Sequence, residues 1–291
     1  MTSIRNFSPK FLLERGYRPP ECDFLANGQE RSVGWPGTIA QMDQNEITER
    51  NRIAWGAESY QAWVNHYGPP REAAAAILSD PQHTLRRLLE FVGDPKGLTI
   101  ANPLGSHGRV ATALALLGAN VTVFDVSESN SRYARELAYE AGVSFDYVVG
   151  DFLATAIERS NQFDTVVMEL GIVHYFIEID RFVASVRGLL KPTGRLVLNE
   201  FHPLLKKSFD ANSGKPIFKG DYFWTETEEA QTPYEIFVAS EVPTCQVRRW
   251  NLGEIATAFA SGRFRIERLL EHPSWEFDQL PGTFTLVATA D

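Results

Sequence analysis

The stretch Leu98–Ser127 constrains the fold of this chain more than any other part of the sequence. Leu98–Ala101 is a short apolar run typical of a buried parallel strand, and residues 102–108 are small or turn-forming residues that favour a sharp bend. Val110–Leu117, rich in Ala and Leu, predicts a helix, and Asn120–Asp125 predicts a second strand. The stretch is therefore a strand–turn–helix–strand unit whose second strand ends on an acid.

The turn and that acid together favour a nucleoside site. Gly105 and Gly108 allow backbone N–H groups to approach a ligand closely, and Asp125, about 20 residues farther along, can accept hydrogen bonds from both hydroxyls of a ribose. The run G-S-H-G is not a full G-x-G-x-x-G fingerprint, and a tight turn without a ligand would have the same sequence. Both interpretations stay open on these residues alone.

Charge and composition favour a globular protein that binds a small molecule. The chain has 291 residues, of which 44% are hydrophobic, enough for a packed core. Its net charge of -9 gives no general attraction for nucleic acid or for anionic lipid, so neither is an expected partner. The oligomeric state cannot be read from the sequence.

Cysteine usage and the N-terminus favour a cytoplasmic protein. Cys22 and Cys245 are too few for a disulfide framework, and no metal-binding H-E-x-x-H or paired C-x-x-C motif occurs. The first residues lack the apolar core of a signal peptide, and no run approaches the ~18 apolar residues of a membrane span. We therefore expect a reducing compartment and no metal.

Strands and helices alternate over about a hundred residues, beginning with this unit. That alternation predicts right-handed βαβ units and a mostly parallel sheet with helices on both faces. Ligand residues are then expected at the strand ends. The predicted strands are 145–150, 163–170, 195–201 and a terminal pair at 264–270 and 283–290, and the predicted helices are 128–141, 179–190 and 252–259.

The remaining segments are expected to surround this sheet. Residues 1–97 are predicted to be an N-terminal arm and helical lid, and residues 98–291 the main domain, with an insertion over the sheet edge at about 202–233. Within these parts, residues 1–42 form the arm, helices are predicted at 43–67, 71–78 and 83–92, and an additional strand at 234–239.

The order of polar strand ends resembles the class I S-adenosylmethionine (SAM) dependent methyltransferases over about residues 98–291. That resemblance implies a Rossmann-like α/β fold with a seven-stranded sheet ending in an antiparallel hairpin, and SAM as cofactor or substrate. Asp125 corresponds to the ribose carboxylate, Asp151 to the acid beside the adenine, and residues 169–171 to the segment lining the methionine portion. The implied binding residues are Asn102, Leu104, Gly105, Ser106, Gly108, Asp125, Val126, Asp151, Phe152, Glu169, Leu170 and Gly171.

One position departs from the family pattern. The acid that opens the glycine loop and holds the amino group of the cofactor is replaced by Ala101-Asn102-Pro103. Asn199, Tyr175 or a residue of the N-terminal lid is then expected to hold that amine. Trp55 and Tyr60 on the lid helix are further candidates for ligand contact, although their helical spacing is also explained by core packing.

The runs MELGIVHYF and LNEFHPL resemble a small-molecule branch of secondary metabolism, part of which does not transfer methyl groups. The resemblance is to azetidine-2-carboxylate synthases, lyases in which the SAM α-amine attacks the γ-carbon and expels methylthioadenosine. Tyr175 would stabilise the sulfonium or the amine, and Asn199 would orient the substrate. Methyl transfer to a small-molecule acceptor is the alternative within the family.

Other chemistries remain open. If an external acceptor is methylated, His107, His174, His202 or Glu200 is the expected general base. An NAD-dependent oxidoreductase shares the strand–turn–helix unit and its acid, although the further acids at strand ends disfavour it. A non-catalytic subunit with this fold is a third possibility.

Overall fold

The computed structural model describes residues 42–210, 217–218 and 220–291. These residues belong to one compact unit, Met42–Asp291. The predicted arm lies outside the described residues except for Met42, so neither the arm nor a boundary after residue 97 is tested.

The core of the fold is a seven-stranded sheet in the order β10-β11-β5-β4-β1-β2-β3. The five strands from β5 to β3 in this order run parallel, whereas β11 is antiparallel to both β5 and β10. The predicted Rossmann-like fold with a terminal antiparallel hairpin is confirmed. The strands are β1 Thr99–Pro103, β2 Asn120–Asp125, β3 Asp146–Val149, β4 Phe163–Glu169, β5 Leu190–Phe201, β10 Phe264–Pro273 and β11 Pro281–Ala290, with short strands β6 Phe209–Asp210, β7 Ile217–Phe218, β8 Thr227–Ala230 and β9 Cys245–Arg248 outside the sheet.

Two apolar clusters pack on the sheet. Side chains of β1 alternate between them: buried Ala101 belongs to one cluster and buried Ile100 to the other, as expected for a strand covered on both faces. The helices are α1 Gln44–Gly56, α2 Ser59–Tyr67, α3 Pro70–Ser79, α4 Pro81–Thr84, α5 Leu89–Val92, α6 Arg109–Leu116, α7 Glu128–Glu140, α8 Phe152–Thr155, α9 Ile179–Leu189, α10 Pro203–Ser208 and α11 Leu252–Ser261.

The helix predicted over residues 43–67 is wrong in one respect, because it is two helices, α1 and α2. Asp43 caps α1, accepting a hydrogen bond from the Glu46 N–H at 2.9 Å. At its other end, the carbonyl of Trp55 accepts from the Ser127 hydroxyl at 2.8 Å and that of Gly56 from the Ser129 hydroxyl at 2.9 Å. These carbonyls are bound by α7, so the chain bends instead of continuing one helix.

The strand predicted at 234–239 is also wrong. This segment contains a 3₁₀ turn, Glu235–Phe237, and the N–H of Phe237 donates to the carbonyl of Tyr234 at 2.9 Å. The Tyr234 side chain is fully buried and donates its hydroxyl to the carbonyl of Ala54. Tertiary burial of one aromatic ring therefore outweighs the strand propensity of its neighbours.

Candidate active site

A cavity of about 710 Å³ opens at the carboxyl ends of β1, β2, β3 and β4. Ligands of open α/β sheets bind at this edge, where successive loops meet. The predicted site residues that line the cavity are Trp55, Asn102, Leu104, Gly105, Ser106, Asp125, Val126, Asp151, Phe152, Glu169, Leu170, Gly171 and Tyr175.

The loop after β1 has an unusual backbone that suits close approach to a ligand. Leu104, Ser106 and Gly108 have φ angles of 51°, 48° and 74°, all in the left-handed region. Gly105 lies between them, and a Cβ added there would stand 2.3 Å from Asn102 Oδ1 and 2.8 Å from Val123 Cγ1. The loop therefore excludes a side chain at Gly105, and its residues line the cavity along 104–107.

The Asp125 carboxylate is held in a fixed orientation at the end of β2. Its Oδ1 accepts from the Ser127 N–H at 2.9 Å and from Asn130 Nδ2 at 3.2 Å, and its Oδ2 accepts from the Ser106 N–H at 3.1 Å. Burial raises the pKa of this carboxyl, and these hydrogen bonds oppose the rise. The carboxylate thus joins the glycine loop to α7 and faces the cavity as an oriented acceptor.

Asn102 occupies the position where the family pattern has an acid. Its side chain is buried at 2% exposure and donates from Nδ2 to the carbonyl of Val167 at 2.9 Å. Oδ1 has no hydrogen-bond donor among the described residues. This oxygen has almost no accessible surface and faces the backbone of Gly105, so Asn102 packs against the glycine loop rather than offering an acceptor to the cavity.

Glu169, at the end of β4, is the other acceptor at this end of the cavity. Its nearest cationic atom is Arg87 Nη1, 3.8 Å from Glu169 Oε1. Burial raises the pKa of Glu169, and Arg87, Arg86 and Arg109 act in the opposite direction. This carboxylate makes no hydrogen bond within the described residues, so its oxygens are accessible to a cavity ligand.

Tyr175 and Trp55 meet at the cavity wall. Trp55 Nε1 donates to the Tyr175 hydroxyl at 3.1 Å, and their rings lie edge to face at 6.3 Å. The Tyr175 backbone carbonyl accepts from Gln44 Nε2 at 3.2 Å, which joins α1 to the segment after β4. Burial raises the pKa of Tyr175 well above its usual value, so the phenol stays protonated.

Three predicted site residues do not line the cavity. Gly108 serves packing instead, because a Cβ there would stand 2.6 Å from the Cβ of Ala134. Tyr60 donates to Glu136 Oε2 at 2.5 Å on the surface of α7. Asn199 is buried in β5 and donates from Nδ2 to Thr285 Oγ1 at 3.0 Å, so its amide nitrogen is bound to β11 and not to the cavity.

Of the four candidate bases, two line the cavity and two do not. Glu200 accepts four backbone N–H bonds, and His202 Nε2 lies 2.8 Å from Glu271 Oε1; neither lines the cavity at β1–β4. His107 and His174 do line it, and burial lowers the pKa of each to about 3. Both imidazoles are therefore neutral near pH 7 and are weak bases.

Several lining residues were missed by sequence reasoning. Trp63 and Tyr67 form an aromatic wall one turn apart on α2, a spacing that is visible in the sequence but equally typical of core packing. Arg86, Arg87 and Arg109 also line the cavity, and only Arg109, next to the glycine loop, had a positional signal.

Two observations concern the described residues as a whole. They contain no group of three or more His, Cys, Asp or Glu side chains placed to hold a metal ion. Among the helices that the structure describes, none combines the length and apolarity needed to cross a membrane.

Comparison with known sequences identifies the central part of the chain. Residues 104–198, about a third of the chain, match a family described as a methyltransferase domain. The ubiquinone biosynthesis O-methyltransferase of Methylobacterium nodulans is 36% identical over 166 residues, covering 54% of this chain and 63% of that protein. That of Rickettsia felis is 28% identical, covering 55% and 62%. The chain therefore spans less than two thirds of these relatives.

Solved structures share the fold at low identity. A putative SAM-dependent methyltransferase from Listeria monocytogenes gives a TM-score of 0.58 at 18% identity, covering 72% of this chain and 98% of that one. Magnesium protoporphyrin IX methyltransferase from Synechocystis PCC 6803, solved with SAM bound, gives 0.54 at 15% identity, covering 87% and 100%. The prediction of a SAM-type cofactor is confirmed at the level of family and fold. Residues 104–198 thus match a methyltransferase domain family, and the chain shares its Rossmann-like fold with solved SAM-dependent methyltransferases.

Proposed function

We propose that this protein binds SAM in the cavity at β1–β4 and transfers its methyl group to a small-molecule acceptor. The observation that carries the proposal is the Asp125 carboxylate, held toward that cavity by the glycine loop and α7. The matched family and the relatives named above support methyl transfer over the intramolecular cyclisation that the sequence favoured. The azetidine-2-carboxylate synthase branch has no support in these comparisons and stays a prediction.

The residues present fit SAM. Asp125 would accept from the ribose hydroxyls, and Asp151 and Phe152, at the end of β3, would border the adenine. The carboxylate of Glu169, which makes no hydrogen bond within the described residues, would receive the α-ammonium group. This assignment replaces the expected amine partner Asn199, which is buried in β5 and does not line the cavity.

In this reaction the protein mainly has to align the reacting groups. Methyl transfer is a displacement at a carbon whose sulfonium leaving group is already activated, so the main contribution is to bring the acceptor into line and exclude water. Tyr175, fixed by Trp55, offers an aromatic face to the sulfonium. Because His107 and His174 are weak bases, the proton of an acceptor hydroxyl is expected to pass to solvent water only after the new C–O bond has formed and S-adenosylhomocysteine has left.

The first experiment is calorimetric titration of the purified protein with SAM, S-adenosylhomocysteine and NADH. We expect the two adenosyl ligands to bind and NADH not to bind. Tight NADH binding without SAM binding would instead indicate an oxidoreductase.

The second experiment separates the two SAM reactions. The protein is incubated with SAM alone and with a panel of hydroxyl-bearing acceptors, since the relatives are named O-methyltransferases. S-adenosylhomocysteine that forms only with an acceptor supports the proposal. Methylthioadenosine from SAM alone would overturn it in favour of cyclisation, and binding without turnover under every condition would indicate a non-catalytic subunit.

A further inference from the structure

Three arginines lie together at one end of the cavity, and the adenosyl site described above does not account for all of them. Arg86 and Arg87 precede α5, Arg109 begins α6, and all three line the cavity. Glu169 lines the same cavity, and its Oε1 lies 3.8 Å from Arg87 Nη1. The positive charges of all three arginines lower the pKa of this carboxyl.

The internal partners of these arginines are few. Arg87 approaches Glu169 to 3.8 Å, beyond hydrogen-bond distance. Arg86 donates to the carbonyl of His83 at 3.0 Å, and neither Arg86 nor Arg109 forms an ion pair with a described residue. Three positive charges thus face one carboxylate in a chain whose net charge is -9. A general excess of basic residues cannot explain the cluster.

Aromatic rings hold two of the guanidinium groups. Arg109 lies over the ring of Tyr67 at 4.3 Å, and Arg87 over that of Trp275 at 4.6 Å. A guanidinium stacked on a ring keeps its N–H donors in its own plane, where they can bind a carboxylate with two parallel hydrogen bonds. Trp63 and Phe237 add apolar surface to the same lining.

SAM cannot neutralise this cluster. Its methionine end carries one ammonium and one carboxylate, so it adds no net charge there, and its sulfonium adds a further positive charge. A carboxylate of SAM would engage one arginine and leave at least one more without an anion. A second negative group at this end of the cavity would therefore still find a cationic partner.

We infer that the acceptor is an apolar or aromatic carboxylate whose negative group is held by Arg86, Arg87 and Arg109. The inference rests on the proposed function, because it names the substrate class of the same cavity. The carboxylate docks at the arginine cluster, and the apolar body of the molecule lies against Trp63 and Tyr67.

The test uses the full chain saturated with S-adenosylhomocysteine and three matched probe pairs: benzoate and benzamide, phenylacetate and phenylacetamide, hexanoate and hexanamide. Affinities are measured by calorimetry at low and high salt. At least one carboxylate should bind about tenfold or more tightly than its amide, and salt should reduce that preference. Equal affinity within all three pairs would overturn the inference.

Variants show which arginines cause the preference for a carboxylate over its amide. Arg86→Gln and Arg87→Gln should each reduce this preference about tenfold. Arg52 is exposed and paired with Glu49, and Arg52→Gln should leave the preference unchanged. Circular dichroism checks that each variant is folded. If the two cavity variants weaken S-adenosylhomocysteine instead and keep the carboxylate preference, the arginines serve SAM and the inference fails.

The same titrations separate this inference from the proposed function. If S-adenosylhomocysteine does not bind, the proposed function fails, and the probe pairs are then titrated into the protein alone. A preference that the cavity variants abolish would preserve the carboxylate site, and its absence would remove the site as well.

Discussion

Replacing Glu200 with Gln should destabilise the protein strongly, although the two side chains have nearly the same shape. Glu200 Oε1 accepts from the N–H groups of Gly171 at 2.7 Å and Phe201 at 2.6 Å, and its Oε2 accepts from those of Ile172 at 2.7 Å and Val173 at 3.1 Å. Gln supplies one acceptor oxygen, so two buried N–H donors would face its NH₂ group.

The magnitude follows from those two donors. Each unsatisfied buried donor costs about 1–3 kcal/mol, so Glu200→Gln should lower the free energy of unfolding by about 2–6 kcal/mol. The burial that raises the pKa of Glu200 also makes its charge costly, which favours the lower part of that range.

Urea unfolding followed by circular dichroism measures the effect. Glu178→Gln is the matched control, because Glu178 is about half exposed and pairs only with Arg181, and its loss should cost at most about 0.5 kcal/mol. A change below about 1 kcal/mol for Glu200→Gln would show that the four backbone bonds do not hold the segment after β4, and the argument would fail.

Four further predictions use the same contacts. Asp125→Asn should weaken S-adenosylhomocysteine binding about 10- to 100-fold by calorimetry, since a charged acceptor is lost. Tyr175→Phe should keep the affinity ratio of SAM to S-adenosylhomocysteine, whereas Tyr175→Ala should lower it about 2- to 30-fold, because the proposed interaction with the sulfonium needs the aromatic ring and not the hydroxyl. Burial raises the pKa of Asp164, but hydrogen bonds from Lys191 and Thr99 outweigh burial and lower the pKa to about 2. The free energy of unfolding of the wild type should therefore fall by about 1 kcal/mol, after solvent screening, between about pH 4 and pH 2. The decrease should be smaller for Asp164→Asn, which has no carboxyl group to protonate. The imidazole of His107 should stay neutral down to about pH 4 in an NMR titration, with the signal assigned by its loss in His107→Gln.

The fold was predictable because its strands are defined by local signals. Asn120–Asp125 contains three consecutive β-branched residues followed by a Phe, and the structure places β2 at the predicted bounds. Ser127, directly before the helix predicted at 128–141, caps α7 by accepting from the Asn130 N–H. The early end of α1 was not predictable, since its cause is two serine hydroxyls on α7, far along the chain.

The site was predictable only where it depends on the strand ends. Asp125 and the glycine loop follow directly from sequence order, and the structure brings them together. Asn199 was expected there as well, because it lies near the end of β5, but its amide faces β11 and bonds to Thr285. Which side of a strand a residue faces depends on register, and the sequence does not specify the register of the antiparallel pair.

The polar groups around the cavity fall into two kinds, and the difference shows where a ligand must contribute. Asp125 and Glu200 already accept several hydrogen bonds from the protein, so they stabilise its structure whether or not a ligand is bound. Glu169 accepts none from the described residues, and three arginines line the cavity beside this one carboxylate. A ligand that supplies both an N–H donor and an anion therefore gains charge-assisted hydrogen bonds at this end. SAM supplies the N–H donor through its ammonium group and one negative charge through its carboxylate. The acceptor is therefore expected to supply a second negative group.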